Sequence, residues 1–522
     1  MMTNEKSNRK SPNLLKSVVV FGGAMVLAKF SGFAREIVLA AFYGAGTVSD
    51  AFILAFTIPD SLLGLVGASV AACFIPMYHR TSDKARFVRN IMTCLLIIGL
   101  LFSVIFALIP GALVRFFAFN IDSEVFELAV FFVRYMVWAA IFMLLMGIYG
   151  AKLEIEGAFF SSGTRSVWRN GTIILGLVLG ALFNNNLFIA LAPVAGSALA
   201  MVVMAAVCQK QGYAYRPYLD MHSPELKQVL ILSGPILLSK ISNLINIMIN
   251  RNFAATLPEG TISHLHYASK IATLIAALFG YALSTVLYPH MSRLVAEGNM
   301  AKLKDTITRG IMQVLGIMIP LCICLFVLAQ PGVRILFQRG SFTVDDTVRT
   351  AANLRMYALL VLANGLSPLL LRAFFAVQNT KVPAAVSFVA VLVSLVLSFV
   401  LIEPLGAEGL ALAVSLSGLL TACLLFVFLR KKLGAMGLLG QLPEMFKICL
   451  ASGIVGIGIW FAASALPLMS IPVWQSVILC AILMAVTGLF YFFLMIIMKC
   501  TIAFEVIHEV ARLLKRKKSN ND

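Results

Sequence analysis

Three charged residues stand deep inside the first long apolar run of this sequence: Lys29, Arg35 and Glu36. A charge at the centre of a lipid bilayer costs about 2.5–3.5 kcal/mol, so it is tolerated where it faces water, a partner or a ligand. In a helix, Lys29 and Glu36 share a face about two turns apart. The small residues Ser31 and Gly32 between them permit a bend or the close approach of another helix. The group could bind a charged substrate; alternatively, Lys29 extends to the membrane surface and Arg35 pairs with Glu36 only to stabilise packing.

Asp50 begins the second apolar run, directly after the small residues of the sequence GAGTVS. As an N-cap it would accept hydrogen bonds from the free N–H groups of its own helix and interact with the helix dipole. The same carboxylate could also take part in a gate, and the two roles are compatible.

A second polar group lies in the apolar run at 228–255. Its members recur at spacings of three and four residues, which places them on one helix face that must look away from lipid. They are Lys240, Asn243, Asn246, Asn250 and, near the end of the run, Arg251. Lys270 stands about two turns into the next run, where it either binds a ligand or extends to the surface.

Cations outnumber anions inside these runs, which all lie within the first 289 residues of the chain. The cations are Lys29, Arg35, Lys240, Arg251 and Lys270, against the single anion Glu36. A cavity with surplus positive charge suits an anionic substrate, and phosphate groups are the natural candidate because ammonium and guanidinium groups bind them strongly.

Enzymatic signatures are missing from the sequence. It contains no nucleophile paired with a base, no Walker loop and no CxxC or other metal-ligand cluster. It also lacks the large extramembrane loop or acidic motifs of a polymerase or lipid-linked glycosyltransferase. We therefore expect a transporter without cofactor or metal, driven by an ion gradient, the membrane potential or the flux of substrate.

The composition requires that many helices face lipid. Of 522 residues, 60% are hydrophobic and 12% are charged, against about a quarter charged in a soluble domain. The net charge is +18 and the pI is about 9.6. In a membrane protein such an excess reflects Lys and Arg held in cytoplasmic loops next to anionic lipid, and not the binding of nucleic acid.

Apolar runs long enough to span a bilayer number about fourteen. They lie within 15–43, 48–77, 88–114, 124–150, 163–183, 186–208, 228–255, 263–289, 309–329, 351–377, 382–402, 406–429, 444–466 and 472–498. The fold class is therefore predicted to be an all-α polytopic membrane protein, located in the cytoplasmic (inner) membrane.

The distribution of Lys and Arg predicts that both termini are cytoplasmic. With the N-terminus inside, cations fill the loops after the even-numbered helices, including Lys152, Arg165 and Arg169 after the fourth. The opposite loops at 44–49, 184–186, 256–263, 403–409 and 467–474 are nearly free of cations. One outside loop breaks the pattern, with Arg334, Arg339 and Arg349.

The helix count also predicts how the chain is divided. A cytoplasmic N-terminus at 1–14 would precede an N-lobe of six helices at 15–208, a cytoplasmic linker at 209–227 and a C-lobe of six helices at 228–430. Two added helices at 431–498 and a basic cytoplasmic tail at 499–522 would follow. The tail is partly amphipathic, ends in the cations of 515–518, and is predicted to lie on the membrane surface.

Four stretches resemble the MurJ (MviN) family of lipid II flippases, within the multidrug/oligosaccharidyl-lipid/polysaccharide exporter superfamily. They are KFSGFAREIVLAAFYGAGTVSDAF from Lys29, FIP from Phe74, NIMINRNFAATLPEGTISHLHYASKI from Asn246, and ILFQRGSFTVDDTVRTAANLRMYAL from Ile335, which continues to RAFFAVQNTKVP. The LFQRG…F segment is the most specific of these. The resemblance spans nearly the whole chain, including the number of helices.

The resemblance implies two six-helix lobes plus two helices, and alternating access that carries undecaprenyl-pyrophosphate-linked sugar to the outer leaflet. It implies that Lys29 and Lys270 replace usual arginines, that Arg35 and Asp50 are retained, and that Glu36 replaces an Asp. The second helix departs from the family, because PDSLLGLVGASVAACFIP from Pro59 lacks the usual Arg pair and Glu.

Three hypotheses follow for function. In the first, the pyrophosphate of lipid II binds Arg35, Lys29 and Lys270, the prenyl tail lies in a groove reaching the two added helices, and the step serves peptidoglycan and cell-wall synthesis. In the second, the cargo is another lipid-linked oligosaccharide, such as an exopolysaccharide or O-unit precursor. In the third, the chain is a cation-coupled drug exporter, which would predict a cavity dominated by acidic residues.

Overall fold

The computed structural model describes residues 14–504, without the side chains of 14–21, 235, 238–240, 243, 281–282 and 438–439. The predicted basic N-terminus and the amphipathic tail therefore lie outside the described residues. The helices are α1 (Leu14–Tyr43), α2 (Thr47–Arg80), α3 (Lys84–Leu108), α4 (Pro110–Phe117), α5 (Ser123–Met136), α6 (Ala139–Ile155), α7 (Phe159–Gly163), α8 (Arg165–Leu182), α9 (Asn186–Lys210), α10 (Pro224–Ala254), α11 (Thr261–Ala276), α12 (Ala282–Ala296), α13 (Met300–Val327), α14 (Ala329–Phe337), α15 (Val344–Ala376), α16 (Lys381–Leu433), α17 (Leu442–Ala465) and α18 (Val473–Ile497).

The predicted all-α polytopic fold is confirmed. The described residues form no strand, and each predicted apolar run falls on a helix or on a bent pair of helices. Within the part of the chain that the structure describes, eight helices are long and apolar enough to cross a membrane, or ten if α5 with α6 and α11 with α12 each form one bent span. A π-helical turn at Ala277–Tyr281 joins α11 to α12.

The element α16 holds two of the predicted spans. Its backbone leaves the helical conformation at Gly406, where φ is 55° and ψ is −127°. A positive φ of this kind strains any residue with a Cβ, so glycine is needed there. The element is therefore two helices that meet at Gly406, and the predicted outside loop at 403–409 is the short break between them.

The chain folds into two compact units. The first contains Met1–Phe42, Ala51–Phe117 and Ser123–Leu244, and the second contains Tyr43–Asp50, Ala118–Asp122 and Ile245–Asp522. The division falls inside α10, whereas the sequence placed a linker at 209–227. The finer predicted boundaries of lobes, added helices and tail stay a prediction.

Within the first unit, the connection between α9 and α10 folds onto α3. The Asn90 side chain donates to the Asp220 carbonyl at 2.9 Å and accepts from the Asp220 N–H at 2.8 Å, and an Arg86 guanidinium nitrogen lies 3.1 Å from the Asp220 carboxylate. The charge pattern assigned this connection and the loop before α3 to the same side of the membrane, and the two meet.

The three arginines in the outside loop that breaks the cation pattern each interact with other groups of the protein. Arg334 is buried and donates to the Leu468 and Ile471 carbonyls and, at 2.9 Å, to the Ser476 hydroxyl, which holds the turn between α17 and α18. Arg339 donates to the last carbonyls of α14, and the Arg349 guanidinium lies 2.7 Å from the Asp345 carboxylate. The buried charge of Arg334 is therefore used inside the fold, whereas Arg339 and Arg349 are exposed.

Candidate functional site

The first unit holds a buried ion pair near the middle of α1. Arg35 and Glu36 are 7% and 1% exposed, and an Arg35 guanidinium nitrogen donates to a Glu36 carboxylate oxygen at 2.5 Å. The other terminal nitrogen of Arg35 donates to the Asn170 side-chain oxygen at 3.2 Å. The Arg35 guanidinium also lies 4.4 Å from the centre of the Phe56 ring, a cation–π distance. These contacts keep a charged group in place within a membrane helix.

The small residues of α1 admit a neighbouring helix, as predicted. The Asn170 side-chain amide of α8 donates to the Ser31 hydroxyl at 3.1 Å, and a Cβ at Gly32 would stand 3.5 Å from the same amide nitrogen. Asn170 therefore bridges Ser31 and Arg35.

A second arginine reaches the same aromatic ring from α8. An Arg169 guanidinium nitrogen donates to an Asp60 carboxylate oxygen at 2.5 Å, and its partner nitrogen lies 3.5 Å from the other oxygen. The Arg169 guanidinium is 4.8 Å from the centre of the Phe56 ring. We call Arg35, Glu36, Phe56, Asp60, Arg169 and Asn170 the arginine cluster.

The sequence had identified only part of the arginine cluster. It treated Arg169 as a loop cation, whereas Arg169 lies in the second turn of α8 with a side chain that is 14% exposed. The available signal was the spacing of Arg165 and Arg169, which places both on one face of a helix. Lys29, in contrast, is exposed on α1, although its predicted neighbour Glu36 is buried.

The second unit has a cavity of about 180 Å³ among its helices, with polar and apolar residues in its lining. Its polar lining consists of Asn246, Asn250, Arg251, His266, Ser269 and Tyr357. The three residues from α10 had been predicted to share a face, and the structure brings them together here. The side chains of the other predicted members of that face, Lys240 and Asn243, lie outside the described residues.

Hydrogen bonds order the lining of this cavity. The Asn250 amide donates to the Asn246 carbonyl at 2.8 Å, and an Arg251 guanidinium nitrogen lies 3.2 Å from Nδ1 of His266. Lys270 follows on α11, about one turn beyond His266, and is half-buried. Lys270 belongs to the second unit, and Lys29 and Arg35 belong to the first. Their joint binding of one pyrophosphate stays a prediction.

Asp50 is buried, and it caps α11 instead of its own helix. One carboxylate oxygen accepts from the Gly260 N–H at 2.8 Å, and the other accepts from the Ser263 N–H at 2.7 Å and the Ser263 hydroxyl at 2.5 Å. Three neutral donors thus hold the carboxylate at the N-terminus of a helix, where the helix dipole also favours it. The expected cap exists, but it joins two distant parts of the chain.

The surrounding loops pack too tightly for larger residues. Gly44, with φ at +62°, leaves 2.6 Å between a hypothetical Cβ and the Ser341 carbonyl oxygen. Gly260, with φ at +83°, leaves 2.4 Å to the Ala45 carbonyl oxygen, and the Tyr267 hydroxyl donates to the Gly44 carbonyl at 3.1 Å. We call the contact of segments 44–50, 256–263 and 338–343 the three-loop junction. The cation pattern had assigned these loops to one side of the membrane.

A metal site is not formed by the described residues, since they contain no group of three or more His, Cys, Asp or Glu that could hold a metal ion. The first unit instead offers two arginine–carboxylate ion pairs in which another anion could replace the carboxylate. Arg35 and Arg169 are each held by one carboxylate, and a phosphate oxygen is an equivalent or stronger acceptor for a guanidinium.

Comparison of this sequence with known proteins identifies one family. Residues 39–499 match the model of a protein family described as lipid II flippase MurJ. A probable lipid II flippase MurJ of Bdellovibrio bacteriovorus is 28% identical over 447 residues, which cover 82% of this chain and 85% of that protein.

Solved structures share the fold. A structure of lipid II flippase MurJ in an inward closed conformation matches with a TM-score of 0.76 and 22% identity, over 90% of this chain and 98% of the other. An inward-facing structure of a multidrug resistance MATE family transporter of the MOP superfamily matches with a TM-score of 0.63 and 16% identity, over 80% of this chain and 98% of the other. At such low identity these structures establish the helical architecture alone.

Proposed function

This chain belongs to the MurJ family of lipid II flippases, and on that premise we propose that it moves lipid II from the inner to the outer leaflet of the cytoplasmic membrane. The family makes it a transporter and not an enzyme. Lipid II is the undecaprenyl-pyrophosphate-linked precursor of peptidoglycan, so the step would serve cell-wall synthesis. The movement would proceed by alternating access, in which the binding site opens first to one leaflet and then to the other.

One observation carries the proposal: the buried Arg35 with its exchangeable carboxylate partner. A guanidinium inside a membrane helix is expensive unless it has a function or a partner, and its planar fork matches two phosphate oxygens at once. Glu36 neutralises Arg35 while no substrate is bound, and the arriving pyrophosphate would take over that role. Arg35 would then have an anionic partner both with and without the bound head group.

The remaining predicted residues would act around this pair. Lys29, exposed on the same helix, would meet the phosphate first, and Lys270 would contribute a further ammonium group from the second unit. Asn250 and Arg251, with Lys240 and Asn243, would contact polar parts of the head group. Asp50 would support the gate by keeping the three-loop junction rigid. Apolar membrane lipid and the exposed faces of α17 and α18 would accommodate the prenyl tail.

The driving force would be an ion gradient or the membrane potential, because a carrier of this class must move a charged group without hydrolysing a nucleotide. With about fourteen spans, both termini lie on the same side. The excess of cations in the connecting loops supports the cytoplasm as that side.

A fixed-leaflet assay tests the proposal. Purified protein is placed in vesicles with labelled lipid II, a lipid-linked O-unit or the bare undecaprenyl pyrophosphate carrier, and the fraction in each leaflet is measured with time. We expect lipid II to move fastest. Faster transport of the O-unit would favour the second candidate cargo, for which the absence of Arg and Glu between Pro59 and Pro76 is the supporting observation. No movement of any lipid would refute the proposal.

Complementation provides the matching test in cells. Arg35→Ala and Lys270→Ala should each abolish rescue of a flippase-depleted strain at equal protein level. Arg309→Ala is the control, because Arg309 is an exposed arginine whose guanidinium lies 3.0 Å from the Asp305 carboxylate. Full growth with Arg35→Ala would contradict the role given to the buried arginine.

A further inference from the structure

Arg169 brings a guanidinium to a part of α2 that has no cation of its own. Between Pro59 and Pro76, α2 contains Asp60 but no Lys, Arg or Glu. Arg169 crosses from α8 to pair with Asp60 at 2.5 Å. Its guanidinium lies 4.8 Å from the centre of the Phe56 ring, and that of Arg35 lies 4.4 Å from the same centre. The first unit therefore concentrates two guanidinium groups around a single aromatic ring.

Two cations this close repel each other unless anions neutralise them. Glu36 and Asp60 supply one negative charge each, so the arginine cluster is neutral when no ligand is bound. A pyrophosphate carries more than one negative charge and offers several acceptor oxygens. It would interact with both guanidinium groups, whereas a single arginine could satisfy only part of its charge.

The two ion pairs differ in how easily they can be opened. The side chains of Arg35 and Glu36 are 9% and 1% exposed, whereas those of Arg169 and Asp60 are 14% and 34% exposed. Because the Asp60 carboxylate is less buried than that of Glu36, its displacement from Arg169 would cost less than that of Glu36 from Arg35. The Phe56 ring continues to hold the guanidinium in position during the exchange.

We propose that Arg169 is a second phosphate contact for the transported lipid, and that Asp60 holds it ready until phosphate displaces the carboxylate. This inference rests on the proposed function and adds a specificity residue to it. Arg169 would favour a pyrophosphate over a monophosphate, because only the larger group has oxygens enough for both arginines. The Phe52 and Phe56 rings of α2 stack with their centres 5.6 Å apart. This stacking fixes the position along α2 at which Phe56 contacts the two arginines.

A double-variant experiment separates substrate binding from simple neutralisation of Asp60. Arg169→Gln, Asp60→Asn and the combination are compared in the vesicle assay with labelled lipid II. We expect Arg169→Gln to lower the initial rate at limiting substrate about tenfold, the loss typical of one charge-assisted contact. The combined variant has no unpaired carboxylate, yet it should remain as slow as Arg169→Gln. Recovery of the combined variant to the wild-type rate would overturn the proposal.

Competition binding gives a second and independent measurement. Undecaprenyl pyrophosphate and undecaprenyl monophosphate compete for the protein against labelled lipid II. We expect Arg169→Gln to reduce the preference for pyrophosphate, and Asp60→Asn to tighten pyrophosphate binding because the internal competitor is gone. An unchanged preference in Arg169→Gln would count against a phosphate contact. Arg169→Lys, which keeps the charge but loses the fork, should fall between the wild type and Arg169→Gln.

Controls distinguish failure of this inference from failure of the proposed function. Arg115→Gln removes a different arginine of the first unit that lies over a ring, 5.2 Å from the centre of Phe126, and should keep the wild-type rate. If the wild type moves no lipid, the proposed function fails. If the wild type and Arg115→Gln move lipid II and the combined variant does so equally well, only the role of Arg169 fails.

Discussion

Two buried carboxylates of this protein, Glu36 and Asp50, face opposite kinds of partner. Glu36 accepts a hydrogen bond from a charged guanidinium, whereas Asp50 accepts three from neutral groups, two backbone N–H groups and a hydroxyl. An ion pair between side chains can change partners when another anion arrives. A carboxylate bound to backbone amides cannot leave without breaking the turn. The arginine cluster is thus suited to exchange, and the three-loop junction is suited to permanence.

The largest effect should come from removing both charges of the central pair together. Arg35→Gln combined with Glu36→Gln removes both charges, so that neither is left unpaired. We expect lipid II transport to fall about a hundredfold, equal to about 2.7 kcal/mol of lost binding, while the unfolding temperature in detergent stays within a few degrees.

The exposed pair Asp345 and Arg349 supplies the control for that variant. Asp345→Asn combined with Arg349→Gln should leave transport unchanged. Normal transport by the variant that combines Arg35→Gln with Glu36→Gln would refute the distinction between Glu36 as an exchangeable carboxylate and Asp50 as a permanent one.

Asp50→Ala should produce the largest loss of stability. It leaves the Gly260 N–H and both Ser263 donors without their acceptor, and each buried unsatisfied group costs about 1–3 kcal/mol. We expect a loss of about 3 kcal/mol or more, measured by thermal unfolding, with transport per folded molecule far less affected than in the central double variant. Asp305→Ala, at an exposed residue paired with Arg309, should change nothing. If the Asp50→Ala protein were stable but inactive, Asp50 would have to be regarded as an exchangeable carboxylate like Glu36.

Gly44→Ala should destabilise the three-loop junction by a smaller amount, about 2 kcal/mol. The cost combines a left-handed backbone, worth about 1–2 kcal/mol, with the 2.6 Å approach of a Cβ to the Ser341 carbonyl oxygen. Gly212→Ala is the matched control, because Gly212 also has a positive φ, +87°, but nothing lies within 4 Å of its Cβ position. Equal losses in both variants would show that the close packing contributes nothing.

Ser31→Ala should have the smallest effect. It removes one neutral hydrogen bond from Asn170, worth about 1 kcal/mol, while Asn170 continues to accept from Arg35. We expect transport to fall less than about fivefold. A loss as large as that of the central double variant would mean that the orientation of Arg35 depends on α8 more than on its own carboxylate.

The sequence was sufficient to predict the helical architecture and the central pair. Runs of apolar residues report the number of spans directly, because every span must satisfy the same bilayer thickness. Arg35 and Glu36 could be identified from insertion cost alone, since their position in the run needs no knowledge of neighbours. The polar face of α10 followed from helical spacing in the same way.

Partners that come from distant helices could not be predicted. Arg169 lies near a helix end, where a loop cation and a buried ligand-binding residue have the same appearance in sequence, and its partner Asp60 is on another helix. The sequence correctly predicted that Asp50 caps a helix. It assigned the cap to the helix that Asp50 begins, because a sequence pattern identifies only neighbours along the chain. Arg334 broke the cation pattern because it donates hydrogen bonds to a turn more than a hundred residues away in sequence.

The cap that Asp50 provides also has a consequence for how the protein is made. Its acceptor and the Gly260 donor are 210 residues apart in the chain. At synthesis rates of about 5–20 residues per second, Asp50 leaves the ribosome roughly 10–40 s before its partner does. During that interval the Asp50 carboxylate lacks the Gly260 and Ser263 donors that it has in the folded protein. Because Gly44 also packs against Ser341, the beginning of this protein can reach its final structure only after segment 338–343 has been made.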